Sequence, residues 1–318
     1  MKKRGQGRFF GEYVFSIMDS LVTGIRMQIY LQAILNGILI GSIYGSVTLG
    51  LSLIFGVMKI INFAHGSVLM LGMFATYWIW IFTKIDPLVS AIFVVPLLFG
   101  IGYYIQSFFL NPLFRRESAE VVEPISALLL TAGLSLAIDN LSLLFFKSDY
   151  RTIQTFYTTS TVHVGGFTLS VPRLLVLGAS ILIYLCLLWI IRRSRLGRAI
   201  RATSQDRDAA ALQGINIYKI YNFTFAIGSA TLGLAGAFLM PYFYVHPSVG
   251  VVFTIKAFIV VVLGGMGSIT GAVFGGLIVG MIESVGSLFV STTTTDLLVF
   301  LIFIFVLLFK PSGLMGEE

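Results

Sequence analysis

The first residues to consider are those whose types could support catalysis or metal binding. His65 lies two residues before Ser67 in "AHGSV", but no second element of a serine–histidine pair is evident. His65, His163 and His246 lie far apart and lack the H-x-x-x-H spacing of a helical metal site. The motifs G-x-x-x-x-G-K-[ST] and G-x-S-x-G, which bind phosphate and present a nucleophile, do not occur. The sequence therefore predicts no catalytic residue and no metal site.

Four polar residues stand inside apolar runs, where side chains would lie at membrane depth. Lys256 occurs in "VVFTIKAFIVV" and Glu283 in "GLIVGMIESVG". Such charges are costly, so they usually pair or face the interior of a bundle. A Lys256–Glu283 pair is one interpretation, and extension of Lys256 to the membrane surface is the other. Asp139 and Asn140 are a further candidate for a polar pair inside a helix. In a self-sufficient secondary transporter, the ion or proton sites would be Lys256, Glu283, Asp139 and His65.

Six residues mark two places where a membrane helix must stop. They are Asn62, His65 and Gly66 in "INFAHG", and Gly264, Gly265 and Gly267 in "GGMGSITG". Short segments interrupted by glycine in two halves of a chain indicate discontinuous helices that line a pathway. The ordinary pKa of a histidine would permit His65 to carry a proton, but a hydrogen-bonded structural role is the favoured interpretation. Asn62 and His65 are predicted to satisfy backbone groups at the break rather than to contact a solute.

These residues belong to a chain that is too apolar for a soluble domain. Of its 318 residues, 57% are hydrophobic and 11% charged, against about 25% charged in soluble domains. Continuous apolar runs of about 20 residues predict membrane-spanning helices rather than a barrel of alternating strands. The single cysteine, Cys186, permits no disulfide within the chain. The net charge is +7, and the basic residues cluster at the ends of the apolar runs. This distribution predicts contact with membrane lipid and not with nucleic acid.

The predicted fold is all-α, a polytopic helical bundle of about 8–10 helical segments, two of them broken or re-entrant. Residues 29–57 would form a helix about 43 Å long, too long for one comfortable crossing and too short for two. The predicted segments are 29–47, 48–58, 66–83, 88–110, 124–146, 171–191, 218–244, 252–267, 271–290 and 296–310.

Three polar connections set the predicted orientation. Residues 111–124 carry paired arginines and residues 192–219 carry six, whereas residues 147–172 are rich in threonine and tyrosine. The excess of basic residues places the first two in the cytoplasm and 147–172 outside. Lys310, after the last run, places the C-terminus inside.

The N-terminal residues 1–28 are predicted to be a basic cytoplasmic tail, ahead of a transmembrane domain at 29–318. For the tail to lie inside, residues 48–83 must form a re-entrant or unequal pair of segments. Glycines also recur at intervals of four, as Gly37, Gly41 and Gly45, as Gly267, Gly271 and Gly275, and as Gly276 and Gly280. This spacing allows close backbone approach, which serves helix packing, helix motion or both.

The connection 192–219 has the most specific local pattern. "RLGRAIRATSQDRDAAALQGIN" favours helix, and Asp206 and Asp208 suit the start of a helix because of its dipole. Gly214 provides a C-terminal stop. The segment is either a solvated loop or a short docking helix whose alanine face enters a groove on a soluble partner.

Several motifs in order resemble the branched-chain amino acid permease family of ABC importers, in particular the first permease subunit of high-affinity leucine/isoleucine/valine importers. They are "INFAHGSVLMLG", "RLGRAIRATSQDRDAAALQGIN", "IKAFIVVVLGGMGSITGAVFGGLIVGMIES" and the terminal "KPSGLMG". The resemblance covers residues 29–318, with no counterpart for residues 1–26. Asp208 replaces the glutamate of the Glu-Ala-Ala-x-x-x-Gly coupling loop. The resemblance assigns coupling to Arg198, Asp208, Ala209, Ala210 and Gly214.

The resemblance implies a multi-pass permease of the bacterial inner membrane that is not itself an enzyme. Its implied partners are a homologous second permease subunit, two cytoplasmic ABC ATPases and a periplasmic substrate-binding protein. ATP and Mg²⁺ would be bound by the ATPases, with no cofactor in this chain. Branched-chain amino acids are the implied solutes, and urea, short amides or another small polar solute are the alternative.

Overall fold

A computed structural model describes residues 4–115, 125–310 and 312–316, with side chains from residue 27 onward. The helices are α1 (Arg4–Met58), α2 (His65–Thr83), α3 (Pro87–Ile105), a π-helical turn (Gln106–Leu110), α4 (Asn111–Phe114), α5 (Ile125–Phe146), α6 (Val171–Arg193), α7 (Arg195–Gln205), α8 (Arg207–Leu212), α9 (Ile217–Leu239), α10 (Val249–Gly264), α11 (Ile269–Gly286) and α12 (Thr292–Phe309). Strands β1 (Thr161–Val164) and β2 (Phe167–Ser170) form an antiparallel hairpin.

Within these described residues, eight helical segments are long and apolar enough to cross a membrane. They are Met27–Met58, His65–Thr83, Pro87–Phe114, Ile125–Phe146, Val171–Arg193, Ile217–Leu239, Ile269–Gly286 and Thr292–Phe309. The shorter α10 is also apolar, over 16 residues. The predicted all-α multi-pass bundle is therefore confirmed, and the small hairpin lies in the connection predicted only as a polar loop.

The bundle has two distinct ends. At one end, which we call the arginine end, Arg201 lines a cavity together with Lys59, Gly267 and Met315. At the other, the hairpin end, the Gln32 side chain donates to the Thr168 carbonyl (2.7 Å) and accepts from the Thr168 N–H (3.0 Å). Helix α1 therefore runs from the hairpin end to the arginine end.

Helix α1 corrects two expectations. It continues without a break through Met58, so the predicted division between 29–47 and 48–58 is wrong. The segment contains glycines but no proline, and its glycines pack against other helices instead of ending the helix. Because Gln28 lies beside Gly166 at the hairpin end, the start of the span lies opposite the arginine end. The sequence predicts that residues 1–28 and 192–219 lie on the same side of the membrane, and the position of Gln28 disagrees with that prediction. Residues 1–3 of the tail, and 116–124 of the connection 111–124, lie outside the described residues.

Glycine packing between α1 and α11 is the most extensive helix contact of the bundle. A Cβ atom built on Gly41 would lie 2.6 Å from the Leu277 Cα, and one on Gly37 would lie 2.8 Å from the Met281 Cα. Gly276 and Gly280 face the same contact from α11. In an apolar solvent, association depends on such close backbone contact rather than on hydrophobic burial. The packing interpretation of these glycines is confirmed.

Both predicted helix breaks are present, and both begin at the arginine end, where Lys59 and Gly267 line one cavity. The first occupies residues 59–64, beginning at Lys59 with a positive φ of 55°. The second, at residues 265–268, is a turn at the arginine end, where Leu314 and Met315 donate backbone hydrogen bonds to Leu263 and Gly264 (both 3.0 Å). Residues 240–248, between α9 and α10, are a further non-helical segment. This segment, and not "GGMGSITG", leads into α10, and the first turn of α10 contacts the start of α2 after the first break.

Replacing Gly41 by alanine should lower the melting temperature of the purified protein, because the new methyl group overlaps the α11 backbone. Overpacking of this kind typically costs about 1–3 kcal/mol. Gly133→Ala on α5 is the matched control, since no atom lies within 4 Å of its added Cβ. Equal melting temperatures for the two variants would show that α1 and α11 are not closely packed.

Candidate functional site

The first helix break is held together by Asn62 and His65, which are both buried. The Asn62 Oδ1 accepts a hydrogen bond from the Ala64 N–H (3.1 Å). The His65 Nε2 lies 2.8 Å from the Val47 carbonyl oxygen, which ties the start of α2 to the middle of α1. The Asn62 contact satisfies a backbone group at the break, whereas the His65 ring binds a carbonyl inside α1. That neither residue contacts a solute stays a prediction.

Gly66 brings the first turns of α2 and α10 into direct contact. Its N–H donates to the Thr254 Oγ1 (3.0 Å), and a Cβ at Gly66 would overlap the Gly250 carbonyl. Ser67 Oγ donates to Asp139 Oδ1 (2.7 Å), near the middle of α5. Two helix ends therefore meet about halfway along the bundle. Backbone ends at this depth survive only where protein or water satisfies them.

The predicted polar pair of Asp139 and Asn140 is not formed. Asp139 faces α2, whereas the Asn140 amide donates to the Leu136 carbonyl of its own helix (2.7 Å). Adjacent residues on a helix point about 100° apart, so they reach different neighbours.

The glycines of the second break make close backbone contacts. Gly264 faces Gly271 across the turn, and Gly265, with a φ of 108°, faces Gly316. Gly267, with a φ of 89°, approaches the Cα of Gly56 on α1. Gly267 also lines a cavity at the arginine end, and a role of these glycines in a pathway stays a prediction.

The Lys256 ammonium contacts the Glu283 carboxylate, so the two intramembrane charges are paired. It also donates to Asp296 Oδ1 (2.7 Å), and the Tyr44 hydroxyl donates to Glu283 Oε2 (2.6 Å). The Lys256 side chain is only 14% exposed, so the alternative of extension to the membrane surface is wrong. Tyr44 and Asp296 are missed by sequence reasoning, because their contacts join segments that lie far apart in the chain.

This cluster lies in a cavity of about 660 Å³ that we call the hairpin-end cavity. Its walls combine charged residues with apolar side chains such as Ile43 and Phe253. A small set of polar groups in a mainly apolar concave site is typical of small-molecule sites.

A second cavity of about 620 Å³ lies at the arginine end and is lined by Gly56, Lys59 and Arg201. Tyr44 in the first cavity and Gly56 in the second are about 18 Å apart along α1 at 1.5 Å per residue. Between them α1 is buried, for example at Leu49 and Leu53. A cavity thus lies toward each end of the bundle, and the part of α1 between these two cavities is packed.

The arginine-rich connection forms two short helices, α7 and α8, rather than one helix. Asp206 separates them, because its side chain accepts from the N–H groups of Asp208 and Ala209 (both 2.9 Å) and so caps α8. Gly214 follows α8 with a φ of 81°, which ends the helix as predicted.

The alanine face of α8 is divided between the chain and the solvent. Ala210 is only 4% exposed, so it packs against this chain and is not free to enter a groove. Ala209 and Ala211 are exposed, and the Leu212 side chain is 88% exposed. Arg198 on α7 is exposed as well. An exposed leucine beside small residues suits the helix-in-groove mode of recognition.

Two contacts join this connection to the transmembrane helices. Gly197 lies against the Ile190 and Ile191 carbonyls at the end of α6, too close for any added Cβ. Arg201 donates to the Ile191 carbonyl, which satisfies an acceptor that the end of α6 leaves free. Movement of α7 would therefore be passed to α6. Among the described residues, no cluster of three or more His, Cys, Asp or Glu could hold a metal ion.

Comparison with known proteins gives one consistent result. The family model described as "Branched-chain amino acid transport system / permease component" matches residues 33–307. The high-affinity branched-chain amino acid transport system permease protein LivH of Escherichia coli strain K12 is 34% identical over 284 residues, 85% of this chain and 90% of that protein. BraD of Pseudomonas aeruginosa, a permease protein described in the same words, is 33% identical over 284 residues, 85% of this chain and 91% of BraD.

A more limited similarity links the chain to a sugar permease. The fructose import permease protein FrcC of Rhizobium meliloti is 35% identical over 104 residues, 30% of this chain and 29% of that protein. No solved structure gives a significant match. The family model and the relatives of similar length agree, and the chain therefore belongs to the family of permease components of branched-chain amino acid transport systems.

Proposed function

We propose that this chain is a permease subunit of an ABC importer in the bacterial inner membrane, where it forms part of the passage for branched-chain amino acids. The observation that carries the proposal is the exposed Leu212 on α8, at the arginine end of a bundle with a cavity toward each end. A secondary transporter has no need of a docking helix on its cytoplasmic side. The relatives named for branched-chain amino acid transport support the choice of solute.

The proposed assembly adds a homologous second permease subunit, two cytoplasmic ATPases and a periplasmic substrate-binding protein. The clustered arginines of 192–219 favour a cytoplasmic position for the arginine end, so the hairpin end would face the periplasm. ATP and Mg²⁺ would be bound by the ATPases, with no cofactor in this chain. Lipid surrounds the exposed apolar faces of the outer helices.

The proposed mechanism uses the contacts of α7. Closure of the ATPases on ATP would move α8, and α7 would pass that movement to the arginine ends of α6 and α1. The cavity at one end would then close as the other opens. Such alternation needs two packed arrangements of the helices that differ little in free energy.

Leu212→Asp should uncouple the complex. A charge placed in an apolar groove should weaken ATPase docking by about tenfold or more, because an anchor residue commonly contributes 2 kcal/mol or so. ATPase activity stimulated by the binding protein should fall in proportion, while the amount of inserted protein stays unchanged. The structural control is Ala210→Asp, which buries a charge within the chain and should instead lower the melting temperature. Full stimulation in Leu212→Asp would exclude α8 as the docking helix.

The substrate can be tested with proteoliposomes that contain the complete complex and its cognate binding protein. With ATP available to the ATPases, labelled leucine should accumulate, whereas urea and ribose should not. Accumulation of urea in place of leucine would assign the chain to the amide alternative. Accumulation without ATP, driven by an ion gradient, would contradict the ABC importer itself.

A further inference from the structure

The hairpin-end cavity holds charges of both signs whose pairing is incomplete. Its charged lining residues are Arg173, Lys256, Glu283 and Asp296, and its apolar walls include Ile40, Ile43, Val252 and Phe253. Arg173 belongs to the first turn of α6, whereas the other three charges come from α10, α11 and α12. The positive and negative groups are therefore presented by different helices around one space.

The negative side of the cavity is the cluster around Lys256. Both Glu283 oxygens are occupied, one by the Lys256 ammonium and the other by the Tyr44 hydroxyl. Asp296 uses only Oδ1 for Lys256, and its side chain is 53% exposed. With these side chains ionised, two carboxylates against one ammonium leave one net negative charge. The second Asp296 oxygen is thus the open acceptor.

The positive side of the cavity is Arg173. Its guanidinium lies 4.6 Å from the centre of the Tyr242 ring, and its Nε is buried with no hydrogen-bond partner among the described residues. No carboxylate in the described part of the chain lies within 4.0 Å of it. A guanidinium offers two parallel donors to a carboxylate, so an unpaired one in a concave site is suited to that group.

We propose that the hairpin-end cavity is a transient site for a zwitterionic α-amino acid. Arg173 binds the α-carboxylate, Asp296 accepts from the α-ammonium, and the apolar side chain lies against Ile43 and Phe253. This inference rests on the proposed function and names the part of the passage that distinguishes solutes. A solute lacking either charge forgoes one of these two pairings, so it should bind more weakly than the zwitterion.

The cavity is large enough for such a solute, at about 660 Å³. It also remains open to the hairpin end, so Arg173 and Asp296 stay partly hydrated when empty and their pairing with a solute yields little net free energy. Binding is therefore weak and reversible, as a passage requires, and it should appear at millimolar solute.

The test is protection of an introduced thiol in the assembled complex. Cys186→Ser removes the only native cysteine of the chain, and Thr292→Cys places a thiol at the cavity lining. The labelling rate of that thiol on this chain by a methanethiosulfonate reagent is measured alone, with leucine, with isopentylamine and with 4-methylpentanoate. Leucine should slow labelling severalfold, whereas the two analogues, which lack the carboxylate or the ammonium, should not.

Two variants locate the charges that matter. Arg173→Met and Asp296→Asn should each abolish protection by leucine, while Arg173→Lys should keep part of it. Asp296 is half-exposed, so its variant tests the proposal even if Arg173→Met lowers the amount of folded protein. Ser204→Cys, which lines the arginine-end cavity, is the matched control and should be labelled equally with and without leucine.

Equal protection by leucine and both analogues would overturn the assignment of a zwitterion site, as would protection that persists in both charge variants. Absence of protection at any leucine concentration would overturn it as well. Because labelling needs neither ATP nor uptake, this result is distinct from the transport assay. A complex that accumulates leucine without any protection at Thr292→Cys keeps the proposed function and loses only the site.

Discussion

The constraint on which the bundle depends is the need to satisfy the backbone ends of helices that stop halfway along its length. The first turns of α2 and α10 meet at Gly66 and Gly250, where a single added Cβ would separate them. The Thr254 hydroxyl accepts from the Gly66 N–H, and the His65 ring binds the Val47 carbonyl. These bonds do what water would do in a soluble protein. They fix α2 against α1 and α10, and so determine where the remaining helices can lie.

The second organising feature is that some polar residues inside the bundle bond only within the protein, whereas others remain available to a solute. Asn62, His65 and Asp139 are engaged with the backbone or with neighbouring hydroxyls. The Lys256 cluster is also internally bonded, yet it retains an open oxygen on Asp296 within a cavity. In the proposed assembly, partners supply both delivery and energy, so this chain has little reason to hold a solute tightly. The charged cavity provides selectivity rather than affinity.

Sequence reasoning predicts well which segments are membrane helices and where breaks occur. It predicts poorly how far each helix continues and which segments meet. The breaks near Gly66 and Gly264 are predictable, because clustered glycine and polar residues cannot continue an apolar helix. The continuity of α1 is not, because a run too long for one crossing gives no sign of whether it divides or tilts. The meeting of Gly66 with Gly250, and of Tyr44 and Asp296 with Lys256, depends on tertiary contacts between segments far apart in the chain. The burial of Ala210 has the same cause, since composition alone does not show which face of α8 turns inward.

The position of α1 has a consequence for how the protein is made. This helix leaves the ribosome before the other described helices, and its most extensive contact is with α11, which follows much later in the chain. Until α9, α10 and α11 have been synthesised, its glycine face can contact only lipid or the insertion machinery. The bundle therefore cannot assemble strictly in the order of translation, and its central helix is among the last to be enclosed. Contacts of such high sequence separation make the completed fold slow to reach, and any product that ends before α11 leaves its longest helix without its principal partner.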